Sequence, residues 1–228
     1  MNILAMDTSN KALSLALLHD KELLGQVTLN IKKNHSITLM PAIDFLMNSL
    51  DMKPKDLNRI AVAQGPGSYT GLRIAVATAK TLAHTLKIEL VGVSSLLALV
   101  PEQVEGLVIP IMDARRNNVY AGFYQSGQAV RPEAHLPLAE VLEIADAANQ
   151  PVTFVGETTA FVEQIEEALP QAAIQPTLPD AGAIGRLGLD LPAQSIHDFV
   201  PNYLKRVEAE ENWLKTHQES SDSYIQRL

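Results

Sequence analysis

The stretch "GPGSYTGLRIAVATAK", residues 65–80, joins a glycine-rich turn directly to a helical pattern. It overlaps the end of the apolar run "RIAVAQG" at 59–65, which has the length and composition of a buried strand. A strand, a glycine turn and a helix in this order form the repeating unit of a sheet flanked by helices. The stretch therefore predicts an α/β fold, and it raises the question of whether the loop holds a phosphate group or only turns the chain.

The loop has the shape of a possible anion site but lacks the side chains of a known one. Gly65 and Gly67 can take backbone angles closed to other residues, and Ser68 or Thr70 can cap a helix that begins near Gly71. Free N–H groups at such a helix start can bind anions. However, no Gly-Lys-Ser/Thr sequence closes the loop, and the spacing is not GxGxxG. The pattern alone favours a structural turn over a phosphate-binding loop.

The rest of the first half continues the alternation of strands and helices. Three strands joined by tight turns come first, and a helix with one apolar face follows them. Ser36 is the expected N-cap of that helix. The predicted ranges in chain order are strands at 2–6, 12–19 and 22–30, a helix from Ser36 to Leu50, a strand at 59–65, a helix from Gly71 to Leu86, a strand at 89–93 and a short helix within 94–100.

The second half repeats this plan. "PIMDARRNNVYAGFY" at 110–124 aligns with "LAMDTSNKALSLALL" at 4–18, so that Asp113 falls opposite Asp7. Each segment is an apolar strand, an Asp, a polar turn and an alternating strand, and a duplicated unit is the economical explanation. We therefore predict two halves, each with a mixed sheet flanked by helices, divided near 101–106. Further elements are predicted as helices at 139–149, 160–169 and 180–190 and a strand at 151–156.

Few residues suggest catalytic chemistry. Asp7 and Asp113 could together hold magnesium or orient water across a cleft, but an Asp at a strand end more often caps its own turn, and we favour that interpretation. The six histidines show no i, i+4 pair and no HExxH motif. No catalytic triad is recognisable. The sequence therefore predicts no catalytic residue and no metal site.

The amino-acid composition excludes several classes of protein. The 228 residues contain no cysteine, which excludes disulfides and thiolate chemistry and fits a cytoplasmic protein. The N-terminus has no basic segment before its short apolar run, and no apolar stretch is long enough to span a membrane. Acidic residues outnumber basic ones by 26 to 18, giving a net charge of −8. Since unaided nucleic-acid binding requires a basic face, tRNA is expected to be held only through a partner.

Several motifs occur in an order and at spacings that resemble one known family. They are "ILAMDTS", "HSITLMPAIDFLM", "GPGSYTGLRIAVATAKTLA", "GVSSLLAL", "PIMDARRNNVYAGFY" and "PNYLKR". Together they resemble the bacterial TsaB (YeaZ) family. The likeness covers residues 1–125 strongly and 195–206 weakly. It implies the actin-like, Hsp70-like ATPase (ASKHA) fold of two ribonuclease-H-like halves, here placed at 1–104 and 105–199, with 200–228 packing back on the first.

The resemblance also implies a function. The family is the non-catalytic scaffold of TsaD, which transfers threonylcarbamoyl to adenosine 37 of tRNAs reading codons that start with A. TsaD has an HxxxH metal pair where this chain has Ser95 and Leu99, so the metal site is expected to be lost. Implied partners are a TsaD-type paralogue, a TsaE-type ATPase and, as an alternative pairing, a second copy of the same chain. The isolated subunit is expected to need no cofactor, with a nucleotide possible at the interface.

The family pairs its partner through the two helices of the first half. This predicts a close-packed stripe on those helices, which Ala79→Arg should disrupt without unfolding the monomer. The residues predicted for this interface are Met40, Ile43, Met47, Ala75, Ala79 and Leu82. Two alternatives stay open: an ATP-dependent phosphotransferase that uses Asp7, Asp113 and the 65–71 loop, and, less favoured, a metalloprotease-like protein.

Overall fold

In the computed structural model, which describes residues 1–31 and 34–205, the chain forms two five-stranded sheets flanked by helices. The first half contains β1 (Asn2–Asp7), β2 (Leu13–His19), β3 (Glu22–Leu29), α1 (His35–Ser49), β4 (Arg59–Gly65), α2 (Tyr69–Leu86) and β5 (Glu89–Ser94). The remainder contains β6 (Leu107–Asp113), β7 (Asn118–Gln125), β8 (Gln128–Pro137), α3 (Leu138–Asp146), β9 (Val152–Gly156), α4 (Val162–Ala168), β10 (Ala173–Pro176) and α5 (Ala181–Asp190). Short 3-10 turns lie at Pro54–Asp56 and Leu97–Leu99.

The two sheets share one topology, which confirms the predicted mixed sheets. The first has the strand order β3-β2-β1-β4-β5, and the second has β10-β9-β6-β7-β8. In each, a meander of three antiparallel strands is extended by parallel strands. The central strands β1 and β4 are buried almost throughout because helices cover both faces of the first sheet.

Most predicted elements agree with the structure, with three differences. Asn34, rather than Ser36, caps α1, because its side-chain oxygen accepts the backbone N–H of Ser36. The helix α2 begins at Tyr69, two residues before the predicted start, with Ser68 as its N-cap. The strands β8 and β10 were not predicted. Both are edge strands with exposed polar residues, so they lack the buried alternation that reveals a strand.

Helices cover the two faces of the first sheet differently. The helices α1 and α2 pack on one face, and α5 packs on the other, against small residues such as Ala5 and Ala61. The approach of α5 is close: a side chain at Gly185 would collide with Leu18. The range 105–199 predicted for the second half therefore differs from the packing, since residues 181–190 lie on the first sheet. Local sequence pattern shows that α5 is a helix but not which sheet it covers.

The segment after α5 also runs along the first half. The Lys80 ammonium donates to the carbonyls of His197 and Phe199, at 3.0 and 2.8 Å, and the Phe199 ring lies in the core under α2. The backbone N–H of Asn202 donates to the Gln64 carbonyl at the end of β4. The described part of the C-terminal segment thus packs back on the first half, and residues 206–228 of the range predicted to do so lie outside the described residues.

Candidate functional site

The glycine loop before α2 packs directly on the turn after β1. A side chain at Gly67 would collide with the Ser9 carbonyl, and one at Gly71 would collide with the Thr8 carbonyl. The backbone N–H of Ser68 donates to the Ser9 carbonyl at 2.6 Å, and the Thr8 hydroxyl donates to the Gly71 carbonyl at 2.7 Å. Part of the space that the glycines leave open is therefore filled by the chain's own backbone.

The two aspartates that end β1 and β6 have equivalent local geometry. Asp7 is fully buried, and its Oδ1 accepts the backbone N–H of Ser9 at 2.7 Å. Asp113 Oδ1 accepts the backbone N–H of Arg115 at 2.7 Å, while its Oδ2 lies 3.5 Å from the Arg115 guanidinium. Burial raises the pKa of the Asp7 carboxyl. Each aspartate caps the turn that follows it, as in the turn interpretation.

A cleft of about 1160 Å³ separates the two halves. The turn after β1 and the start of α2 line one side, and the β6–β7 turn and the segment after β9 line the other. Glu157 lies between the two sides: its carboxylate accepts the backbone N–H of Asp113 at 2.9 Å and lies near the backbone N–H of Lys11 on the other side. Burial raises the pKa of Glu157. Glu157 is not among the predicted site residues, although it directly follows the buried strand β9 much as Asp113 ends β6.

A second polar cluster joins the halves near the connection between them. Glu133 Oε1 accepts hydrogen bonds from the Ser94 hydroxyl at the end of β5 and from the Tyr124 hydroxyl on β7. The Ser94 oxygen in turn accepts the backbone N–H groups of Leu96 and Leu97, at 3.2 and 3.1 Å. Burial and the bond to Glu133 raise the pKa of Tyr124. No local sequence pattern indicates this cluster, because its members lie on three separate strands.

The two residues expected from the resemblance to replace a histidine metal pair are buried. Ser95 is fully buried at the end of β5, and Leu99 packs in the small core between the connection and the second sheet. Leucine has no donor atom for a metal. Within residues 1–31 and 34–205, no group of three histidine, aspartate or glutamate side chains is placed to hold a metal ion. The same part of the chain contains no helix long and apolar enough to cross a membrane.

Four of the six residues predicted for a partner interface lie inside the chain's own core, so this prediction is corrected. The small stripe on α2 faces the first sheet, where it allows the helix to approach the strands closely. Met40 is half exposed, and Leu82 is partly buried against the core. The four core residues are Ile43, Met47, Ala75 and Ala79.

A different set of side chains on the same two helices faces outward. On α1, Ile37 and Met40 are 67% and 49% exposed one turn apart, and Phe45 is 62% exposed on the same outward half of the helix. The exposed Asp44 lies between Met40 and Phe45. On α2, the small residues Ala77 and Thr81 are exposed one turn apart. Because α1 and α2 cover the same face of the sheet, these residues point away from it together. We call Ile37, Met40, Phe45, Ala77 and Thr81 the outer helix face.

An aromatic cluster stands where α2 meets the cleft. The Tyr69 and Tyr203 rings stack with centroids 5.1 Å apart, and the Arg73 guanidinium lies 5.4 Å from the Tyr69 centroid. Arg73 donates to the Tyr69 hydroxyl at 3.0 Å and lies near the Tyr203 hydroxyl. The cluster thus connects the C-terminal segment to the first turn of α2.

Comparison with known proteins identifies the family. The family model described as "TsaD: tRNA N6-adenosine threonylcarbamoyltransferase" matches residues 13–213. A Bacillus subtilis protein named "tRNA threonylcarbamoyladenosine biosynthesis protein TsaB" is 42% identical over 227 residues, which is 95% of this chain and 99% of the relative. This chain belongs to the TsaB family. The resemblance stated from the motifs is therefore confirmed.

Solved structures agree with this family and with the fold. A Pseudomonas aeruginosa protein, described as uncharacterized and similar to peptidase YeaZ, superposes with a TM-score of 0.77 at 30% identity, covering 90% of this chain and 99% of its own. The ethanolamine utilization protein EutJ from Carboxydothermus hydrogenoformans has a TM-score of 0.52 at 17% identity, covering 82% and 90%. The second likeness concerns the fold alone, and it agrees with the two mixed sheets flanked by helices.

Proposed function

We propose that this chain is a non-catalytic subunit that binds a TsaD-type threonylcarbamoyltransferase and supports its modification of adenosine 37 in tRNA. The observation that carries the proposal is the outer helix face, an apolar surface with no partner in the described part of the chain. Its three large side chains, Ile37, Met40 and Phe45, are each about half or more exposed. Large apolar side chains exposed together on a folded surface, with polar residues such as Asp44 between them, are typical of a protein–protein contact.

The shape of the outer helix face suits a helical partner. Ala77 and Thr81 on α2 are small, so a helix of the partner can approach its backbone closely. The larger side chains of α1 can then fill the grooves of that helix. Full burial of one large apolar side chain stabilises a complex by about 1.5–3 kcal/mol. Membership in the TsaB family, together with the match to the TsaD model over residues 13–213, makes a TsaD-type paralogue the partner to test.

The absence of turnover is part of the proposal. A metal site like that of the transferase needs donor atoms at Ser95 and Leu99, and both are buried, one of them a leucine. The phosphotransferase alternative needs a phosphate cradle in the 65–71 loop, where backbone carbonyls of this chain occupy positions beside the glycines. Neither observation supports a reaction carried out by this chain alone.

The test is light scattering on gel-filtered protein, alone and mixed with the TsaD-type paralogue of the same organism. We expect a new one-to-one peak for the wild-type chain and its loss for Phe45→Asp, because a carboxylate would be desolvated in the contact. Val130→Asp is the matched control, since Val130 is similarly exposed, at 50%, but lies on β8 of the second half. Its complex should be unchanged.

Two results would contradict the proposal. One is a pair of unmixed peaks for the wild-type proteins, even with nucleotide and the TsaE-type ATPase added. The other is normal assembly of Phe45→Asp with loss of assembly in Val130→Asp. Association with a TsaE-type ATPase, a homodimer through the same face and a cytoplasmic location stay predictions. A concentration series of the isolated chain in the same instrument tests the homodimer.

A further inference from the structure

The inter-half cleft reverses the charge balance of the chain. Across the whole sequence, acidic residues outnumber basic ones by 26 to 18. Among the residues that line the cleft, the order is opposite: Lys11, Arg115 and Lys205 are basic, and only Asp113 and Glu157 are acidic. Cations collected in a concave site on an otherwise acidic protein focus a local attraction for anions.

The two acidic side chains are already bonded within the protein. Asp113 pairs with the Arg115 guanidinium at 3.5 Å and accepts the backbone N–H of that residue. The Glu157 carboxylate accepts the backbone N–H of Asp113 and lies near the backbone N–H of Lys11 in the other half. Burial also raises the pKa of Glu157, which disfavours its charged form. Both carboxylates are therefore less available to repel an anion than exposed ones would be. The same pair engages the Arg115 guanidinium, so Lys11 and Lys205 provide the larger part of the attraction, and Arg115 contributes by exchanging Asp113 for a phosphate.

Exposed aromatic rings stand beside these cations. Tyr69 lines the cleft, as does Lys205, which follows Tyr203 by two residues. The stacked Tyr69 and Tyr203 rings remain 49% and 39% exposed, and Arg73 lies against the first of them. Tyrosine rings and arginine planes are the groups on which unpaired bases stack. Neighbouring lysines supply the attraction for the phosphates between such bases.

We propose that this cleft mouth contacts a single-stranded loop of the tRNA substrate, with Lys11, Arg115 and Lys205 towards phosphates and the Tyr69–Tyr203 pair against a base. The inference rests on the proposed function, because tRNA reaches this chain only as part of the complex. The cleft volume of about 1160 Å³ exceeds the roughly 300–1,000 Å³ typical of pockets for small ligands. The cleft is therefore large enough for a short segment of a nucleotide polymer.

The net charge of −8 explains why the contact is an auxiliary one. Phosphate contacts supply most non-specific RNA affinity, and three local cations on an acidic protein provide few of them. The isolated chain is therefore expected to bind RNA weakly. Once the partner holds the tRNA, the cleft contact becomes intramolecular and contributes at a high effective concentration. Its effect should be visible in the affinity of the complex.

The test measures fluorescence anisotropy of a labelled tRNA that reads a codon starting with A, titrated with the complete heterodimer at several salt concentrations. For the double substitution Lys11→Glu and Arg115→Gln, we expect a loss of affinity of about tenfold and a salt slope smaller by about one or more. For Tyr69→Leu, we expect a loss of about tenfold with an unchanged slope, since stacking releases no counterion. Lys55→Glu is the control, because Lys55 belongs to the 3-10 turn beside the opposite end of β1.

Light scattering on the same samples separates the two proposals. If the heterodimers form but every variant keeps the wild-type affinity and salt slope, the RNA contact is refuted and the proposed function stands. If ATP binds at these residues and the variants do not affect RNA, the ligand assignment is wrong. If no wild-type heterodimer forms, the proposed function fails. Photo-crosslinking of RNA to the isolated chain at low salt then tests the cleft, and crosslinks confined to other surfaces would overturn it.

Discussion

Replacing Ala79 by arginine distinguishes the core position of the α2 stripe from an interface position. Ala79 is fully buried between α2 and the first sheet, in a cluster that includes Leu4 and Val62. An arginine there has no space and no described anionic partner. Overpacking a core typically costs about 1–3 kcal/mol, and an uncompensated buried charge about 3–5 kcal/mol. Because the long side chain can direct its charged end towards solvent, we expect a total of about 4 kcal/mol.

This loss is large relative to the stability of a folded chain, which is typically about 5–15 kcal/mol. In a protein of this size, about 4 kcal/mol corresponds to a decrease in Tm of roughly 8–16 °C. The matched control is Ala77→Arg, two residues earlier on the same helix, where the side chain is exposed. Arginine is a good helix former, so the stability of this variant should stay within about 0.5 kcal/mol of wild type. It should nevertheless block the complex by separating the helices.

The assay combines thermal unfolding by circular dichroism with light scattering of mixtures with the TsaD-type paralogue. Ala79→Arg should show a lower Tm. Ala77→Arg should have the wild-type Tm but give no heterodimer peak. A variant Ala79→Arg that melted within about 2 °C of wild type and lost only the heterodimer would refute the packing argument. It would also restore the initial expectation, made from sequence, that the alanine stripe faces the partner.

Three further substitutions test the polar groups beside the cleft. Asp7→Asn should raise the free energy of unfolding at neutral pH by roughly 1 kcal/mol in urea titrations. Burial raises the pKa of Asp7 in the folded chain, so the wild type loses stability as the pH rises above the unfolded pKa of 3.8, and asparagine avoids this loss. The gain should vanish at pH 3, and an equal gain at both pH values would contradict it. Gly71→Ala should lower the free energy of unfolding by about 3 kcal/mol in the same titration, since the added methyl group collides with the Thr8 carbonyl. An unchanged midpoint of urea unfolding would show that the turn can move to accommodate it. Glu133→Ala should lower the free energy of unfolding by about 1–3 kcal/mol, because the Ser94 and Tyr124 hydroxyls lose their shared acceptor. Amide hydrogen exchange in residues 94–99 should become faster. Unchanged exchange would show that the cluster does not stabilise the connection between the halves.

The local sequence pattern predicts the helices and strands of this fold better than it predicts which of them pack together. The strands β1 and β4 are continuous apolar runs, so their sequence alone reveals burial on both faces. The edge strand β8 carries exposed polar residues and prolines, and it has no such signal. The placement of α5 on the first sheet depends on a close fit between Gly185 and Leu18, two residues far apart in sequence. Periodicity cannot report such a contact.

The site shows the same limit more sharply. A stripe of small residues on α2 allows another element to pack closely against it. The sequence does not indicate whether that element is a helix of a partner chain or the sheet of the same chain. Ala75 and Ala79 face the sheet, whereas Ala77, between them in sequence, faces outward. The decisive quantity is the direction of each side chain relative to the core, which is set by tertiary packing.

The helix α2 gives the two proposed contacts a common geometry. Tyr69 in its first turn lines the cleft, and Thr81 on the outer helix face follows 12 residues later. At 1.5 Å per residue, the two positions are about 18 Å apart along one helix. A transferase docked on the outer helix face is therefore held at a short and nearly fixed distance from the cleft mouth. RNA bound by that transferase would contact the cations and tyrosines of this chain intramolecularly. Even a contact too weak to bind RNA alone would then add to the affinity of the complex. Weakening the outer helix face should then remove both contributions at once, whereas neutralising the cleft should remove only one.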